Sequence, residues 1–290
     1  MVMRMLQLRL LNVVAPAYFY AATAITIGLH LALFIPAIFH TPGVLIHTCL
    51  FLFMMLNALG NYVMTIWYPS ETTDDETTVQ QTLCTFDCMD AYYLHNNHHF
   101  CKLCKKVILR RDHHCFFTGN CIGNSNMRYF IMFCVYTSSI CLYSLVLGVA
   151  YLTMEYSLSF ENPLTFLTLL PLYTGYFFVG LIPGLQFLLV LMLYVWLGIG
   201  LVCAGFCCQQ VLLVARGQTW CHLQKRGRLG KSRGEWRDNL RDVFGSQWAL
   251  GLLLPVHTVK AADAALPDKG KGSAAINTGD DKNQKIDCVR

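Results

Sequence analysis

Residues 10–70 read LLNVVAPAYFYAATAITIGLHLALFIPAIFHTPGVLIHTCLFLFMMLNALGNYVMTIWYPS, a run without Asp, Glu, Lys or Arg. The hydrocarbon core of a bilayer asks for about 20 apolar residues per helix. This run therefore holds two spans, roughly 13–38 and 44–67, joined at His40-Thr41-Pro42-Gly43. A second run, Tyr129 to Ala215, contains only Glu155 and Glu161 and holds a third span, roughly 129–152, and a fourth, roughly 185–208. Composition agrees: 55% of the 290 residues are hydrophobic and 13% charged, against about 25% charged in soluble domains. The fold class is an all-α polytopic membrane protein with four transmembrane helices.

Charge sets the orientation. Lys102, Lys105, Lys106, Arg110, Arg111 and Arg128 precede the third span, and Arg216, Lys225, Arg226, Arg228, Lys231, Arg233, Arg237 and Arg241 follow the fourth. Basic loops stay in the cytosol, so an even number of spans separates the two groups. The apolar segment 163–183 is accordingly read as re-entrant or interfacial, or as part of one long tilted helix. Arg4 and Arg9 place the N-terminus on the same side, so both termini are expected in the cytosol. The first span is too long, and its flanks too poor in cleavage signals, for a removable signal peptide. The net charge of +5 is not a nucleic-acid signal here, because bases clustered beside a membrane suit acidic headgroups.

Four regions follow: residues 1–68 with two spans, a cytosolic cysteine-rich segment 69–128, residues 129–215 with two more spans, and a cytosolic segment 216–290. Ser70 to Thr82, with Glu71, Asp74, Asp75 and Glu76 among threonines, reads as an exposed linker. Residues 216–245 are basic and partly helical. Trp248 to Val256 is too short to span and reads as interfacial. From Lys260 onward the composition is that of a disordered tail. No internal repeat is present.

The fourteen cysteines do not argue for disulfides, since the clustered ones fall in the segment assigned to the reducing cytosol, where metal binding or catalysis is the better reading. Cys49, Cys134, Cys141 and Cys203 lie in spans and read as small packing residues. Cys207 and Cys208, at the cytosolic end of the last span, suit reversible S-acylation. Cys288 does not make a C-a-a-X prenylation box. Within 84–128, Cys101-x2-Cys104 supplies two thiolates from one turn, and His114 and Cys121 complete a tetrahedral set of the kind zinc prefers in structural sites. Asp112-His113-His114-Cys115 joins an acid, two imidazoles and a thiol. A thiolate is the nucleophilic form, an imidazole can take the proton, and a carboxylate can orient the ring. Adjacent side chains diverge in a helix or strand, so a bent backbone is expected here. Residue types alone do not tell the two histidines apart, and Cys115 as a further ligand in a structural knuckle stays open.

Arg110-Arg111-Asp112-His113-His114-Cys115, then Asn120-Cys121-Ile122-Gly123 and Asn126, resemble the cysteine-rich domain of the DHHC-type protein S-acyltransferases, or palmitoyltransferases. The match is specific over roughly 101–130, with a weaker echo near 217–254. The resemblance implies zinc on Cys101, Cys104, His114 and Cys121, with His113 as base, Asp112 as its partner and Cys115 as nucleophile. It implies two-step transfer of a palmitoyl group from long-chain acyl-CoA to membrane-associated proteins with cytosolic cysteines, with the chain held between the spans. Lys105, Lys106, Arg110 and Arg111 are the candidate contacts for the CoA phosphates.

The chain also departs from the family. A second zinc is usual there, but Phe100 and Val107 stand where a His and a Cys are expected. Cys84 and Cys88, with His98 or His99, are left as an irregular substitute, and a degenerate site held by packing is the favoured reading. Gly217-Gln218-Thr219-Trp220 replaces Thr-Thr-x-Glu, with Cys221 at the Glu position, which puts that motif's packing against the reaction centre in doubt. Asn239, Phe244 and Gly245 echo Asn-x3-Phe-Gly with one residue more, and Phe116-Phe117 replaces Pro-Trp.

The reading is a multi-pass S-acyltransferase of the endoplasmic reticulum or Golgi, with a zinc-organised cytosolic loop between the second and third spans. Its rival is a membrane adaptor or chaperone that keeps the fold without turnover. A metal transporter would need ionisable ligands within the spans, and only His30 and His47 lie there.

Overall fold

The computed structural model describes residues 2–71, 98–160, 162, 164–221, 223, 235–245 and 254. The acidic linker beyond Glu71, Cys84, Cys88, the side chains of His98 and His99, Lys225 to Arg233, Trp248 to Val256 apart from Leu254, and the tail lie outside the described residues.

Among the described residues four helices are long and apolar enough to cross a membrane: Gln7–Ile38, Gly43–Trp67, Met127–Tyr156 and Gly184–Ala215. This is the mostly helical, multi-pass architecture expected. The first is α1 (Val2–Leu29), continued through a π-helical turn (His30–Phe34) into α2 (Ile35–Ile38). The others are α3 (Gly43–Trp67), α4 (Met127–Tyr156) and α6 (Gly184–Ala215). The first, third and fourth extend beyond the ranges read from the sequence, to Gln7–Ile38, Met127–Tyr156 and Gly184–Ala215. The segment 163–183 is not part of one long helix: α5 (Thr165–Phe178) is a separate fourteen-residue helix. It packs on α6, through Tyr194, whose hydroxyl donates to Phe166 O at 2.6 Å.

α4 is the central helix, packed against both α3 and α6. Small residues let membrane helices approach. At Gly148 an added Cβ would meet Leu193 Cδ2 and Trp196 Cζ3, each at 2.9 Å. Leu10, Val13, Leu45, Leu56, Leu142 and Leu201 point outward and are exposed, the face a bilayer solvates. Both span histidines are engaged by neighbours. His30 Nδ1 lies 2.8 Å from Thr26 O and its ring stacks on Phe51, while His47 Nδ1 lies 3.0 Å from the Tyr143 hydroxyl.

Between α3 and α4 the chain makes two antiparallel hairpins. β1 (His98–Cys101) pairs with β2 (Lys106–Leu109), and β3 (His113–Cys115) with β4 (Asn120–Ile122). Asn126 fastens them to the spans. It is fully buried, its Nδ2 donates to Thr65 O and Cys121 O at 3.0 Å each, and its Oδ1 accepts from Gly123 N–H at 2.9 Å. Asn120 Nδ2 also donates to Thr65 O, at 2.9 Å, and the Tyr62 hydroxyl donates to Phe117 O at 2.7 Å. A Cβ at Gly123 would lie 2.8 Å from Leu109 O, so no larger residue fits where the hairpins meet. The end of α3 thus fixes the hairpin that carries the candidate chemistry.

Candidate active site and metal centre

The strand β3 sorts the tetrapeptide. Side chains alternate faces along a strand, so His113 and Cys115 share one face and His114 takes the other. Within the strand His113 and Cys115 need no bend to share a face, and the backbone turns just before it, at Arg110 with φ +47°. Asp112 precedes the strand, held by its N–H donating to Ile122 O at 2.8 Å.

On the His114 face, Cys101 and Cys104 come from the first hairpin, and Cys121 is the cross-strand partner of His114. Their ligand atoms all lie within 4.8 Å of one another. His114 Nδ1 is 3.8 Å from Cys101 Sγ, 3.2 Å from Cys104 Sγ and 3.7 Å from Cys121 Sγ, and Cys104 Sγ is 3.6 Å from Cys121 Sγ. A tetrahedral zinc has ligand edges of about 3.6 Å between S and N and about 3.8 Å between two S atoms. The four residues fit the ion. His114 Nε2 lies 2.9 Å from Asn12 Oδ1. With that nitrogen donating, Nδ1 is the one free for metal, the usual supporting arrangement. Asn12 comes from α1 and was missed by reading the sequence, where a lone amide near a span carries no signal.

On the other face, His113 Nδ1–H donates to Asp112 Oδ2 at 2.8 Å, and the ring lies within electrostatic reach of Cys115. The imidazole lies between Phe130, edge-on at 5.1 Å, and Phe206, stacked at 5.9 Å. Burial alone would push its pKa down, but hydrogen bonds to Asp112 and Cys115 and their charges raise it to about 9. For Cys115 burial works upward, and the His113 imidazole and Thr118 outweigh it, leaving the thiol pKa lowered. The two shifts favour a thiolate–imidazolium pair.

Asp112 is 2% exposed and accepts two further hydrogen bonds, from Gln210 Nε2 to Oδ2 at 2.7 Å and from Trp220 N–H to Oδ1 at 2.6 Å. The Gly217–Cys221 segment therefore packs on the reaction centre despite its missing Thr and Glu, since a backbone N–H makes the contact. Asn239, in α7 (Trp236–Phe244), donates to Ala215 O at 3.0 Å. Cys221 is buried within electrostatic reach of Arg111.

Cys115 opens onto an apolar cavity of about 600 Å³, inside the range of about 300–1,000 Å³ typical of ligand sites. Phe19, Phe133, Val195, Ile199 and Val202 from three spans line it, with Phe116 and Phe117 beside Cys115. Cys134 and Cys203, buried in the core between helices as expected of small packing residues, also line it. Of the four bases, Lys106 pairs with Glu71 at 2.6 Å, and Arg111 Nη2 lies 3.9 Å from Cys101 Sγ, facing the metal ligands. Lys105 is exposed and Arg110 half-buried. His98 and His99 belong to β1, and with Cys84 and Cys88 outside the described residues the irregular second site has no geometry among the described ones.

The spans flank an acid, an imidazole and a thiol beside a zinc-type ligand set, an arrangement suited to thiol acyl transfer at a membrane. Residues 86–226 match the family model of the DHHC palmitoyltransferase. The chain is 68% identical over 263 residues to palmitoyltransferase ZDHHC22 of Danio rerio, covering 88% of this chain and 94% of that one. It is 47% identical over 277 residues to palmitoyltransferase ZDHHC22 of Homo sapiens, covering 91% and 100%, and 28% identical over 179 residues to human palmitoyltransferase ZDHHC3, covering 60% and 50%. The chain belongs to the DHHC palmitoyltransferase family, whose function is acyl transfer to proteins.

Proposed function

We propose that this protein transfers a palmitoyl group from acyl-CoA to cysteine thiols of membrane-associated proteins through a thioester on Cys115. The observation that carries the reading is the Asp112–His113–Cys115 relay, set at the mouth of an apolar cavity between the spans. Zinc on Cys101, Cys104, His114 and Cys121 would pin β3 from its far side, supplying a fixed structural centre. His113 accepts the Cys115 proton, with Asp112 stabilising the imidazolium. The Cys115 sulfur forms its bond to the acyl carbon as the bond to the CoA sulfur breaks, and the proton passes from His113 to that sulfur. In the second step the acceptor thiol loses its proton to His113 and takes the acyl carbon, and Cys115 sulfur leaves. The acyl chain occupies the cavity. Lys105 and Arg110 are the bases left for the CoA phosphates, since Lys106 and Arg111 face Glu71 and the ligand thiols.

Basic residues on both sides of the spans support cytosolic termini, and an endoplasmic reticulum or Golgi membrane is the assigned location. The intact relay weighs against the adaptor reading. Intact-mass analysis of the purified chain after exposure to palmitoyl-CoA tests the function. One added palmitoyl group, removed by hydroxylamine, is expected, and no mass increase would overturn it.

A further inference from the structure

Gln210 carries no signal in the sequence, where it is one of two glutamines ending an apolar helix. In the structure its side chain comes from α6 into the reaction centre. It is 1% exposed, and its Nε2 donates to Asp112 Oδ2 at 2.7 Å. The same oxygen accepts His113 Nδ1–H at 2.8 Å, while Oδ1 accepts Trp220 N–H at 2.6 Å. The carboxylate is thus held by donors from three segments. With Trp220 alone it would be anchored at one oxygen and free to turn about its own bond, taking Oδ2 off the line to His113. Among the described residues, Gln210 Oε1 is buried without a partner, a cost that an apolar residue would avoid. The amide's one hydrogen bond among the described residues is therefore the one to Asp112.

We propose that Gln210 is a positioning residue for acyl transfer, whose amide locks the Asp112 carboxylate against His113 and so keeps the imidazole on the Cys115 sulfur. This rests on the reading of Cys115 as nucleophile. It makes the last span part of the catalytic apparatus and not only a wall of the acyl cavity. Positioning acts on the chemical step and not on the binding of the acyl chain, whose cavity lining does not include Gln210.

The test is single-turnover acylation of Cys115 by palmitoyl-CoA, using the full chain in lipid nanodiscs, for wild type, Gln210→Met, Gln210→Asn, Asp112→Asn and the Asp112→Asn/Gln210→Met double variant. Met keeps the volume without a donor, and Asn keeps the amide but is one methylene too short. Both should slow acylation by about 10–100-fold at saturating palmitoyl-CoA, the loss expected for a hydrogen bond to a charged group. Zinc content, thermal midpoint and the half-saturating palmitoyl-CoA concentration should not change. In the Asp112→Asn background, Gln210→Met should add little, because both changes act through one carboxylate. Wild-type rates in both single variants, slowing that multiplies in the double variant, or loss of fold in both would overturn the proposal. A wild-type chain that forms no adduct, or an Asp112→Asn chain at full rate, would instead overturn the reading of the relay on which the proposal depends.

Discussion

The backbone N–H of Trp220 donates to Asp112 Oδ1 at 2.6 Å, joining the segment after the last span to the acid of the tetrapeptide. Side-chain identity at Gln218 and Cys221 is irrelevant to that bond. A motif that looks degraded by letter therefore keeps its contact, because the contact needs only a peptide N–H presented at the right place. The same carboxylate accepts from His113, so the two segments outside the spans, far apart in the chain, meet at one residue.

Cys115→Ser should abolish the hydroxylamine-labile acyl adduct formed with labelled palmitoyl-CoA. Cys207 and Cys208 must first be replaced, since Cys208 is exposed and Cys207 half-buried at the end of α6. Labelling that survives in the serine variant would move the nucleophile to another cysteine.

Purified protein should carry at least one zinc per chain, and nearer one than two. The Cys101, Cys104, His114 and Cys121 set is complete, whereas Phe100 and Val107 occupy expected ligand positions of a second site. Elemental analysis decides this, and a ratio of two would restore Cys84, Cys88 and the upstream histidines as ligands.

Substitutions at the two histidines should fail differently. His113→Ala should keep zinc and expression and slow acylation by about 10²–10⁴-fold, the usual worth of a positioned base. Asp112→Asn should resemble it, because the imidazole loses its orienting partner. His114→Ala should lose zinc and destabilise the hairpins, since a structural metal contributes its binding energy to folding. Equal zinc loss in both histidine variants would favour the adaptor reading, with the tetrapeptide as scaffold.

Asn12→Ala should weaken zinc retention by about 10–100-fold, the usual effect of removing a group that orients a metal-bound histidine. The contact is from Asn12 Oδ1 to His114 Nε2 at 2.9 Å. Competition with a chelator measures it, and a variant that holds zinc as tightly as wild type would leave Asn12 as a packing contact only.

Much was legible in the linear chain because it depends on composition and short spacing. An uncharged run from Leu10 to Ser70 leaves few alternatives to two membrane helices, since a bilayer must solvate what water will not. Cys101-x2-Cys104, Cys121 and one histidine of the tetrapeptide supply four ligands by residue type and spacing alone. An acid, two imidazoles and a thiol in four residues offered either thiol chemistry or a structural knuckle, and the resemblance to the DHHC family pointed to the first.

Three decisions belonged to the tertiary structure alone. Which histidine joins the cysteine cluster is set by β3, whose alternation sends His113 toward Asp112 and Cys115 and His114 toward the sulfurs. That His113–Cys115 is a strand depends on pairing with Asn120–Ile122, and pairing is not a property of three residues read alone. Gln210 and Asn12 reach the site only because α6 and α1 pack where they do, and a polar residue in an apolar run does not announce its partner. The neighbours of Lys106 and Arg111, Glu71 and Cys101, were likewise invisible in the sequence, because sequence distance does not measure which acid or thiol is nearest in space.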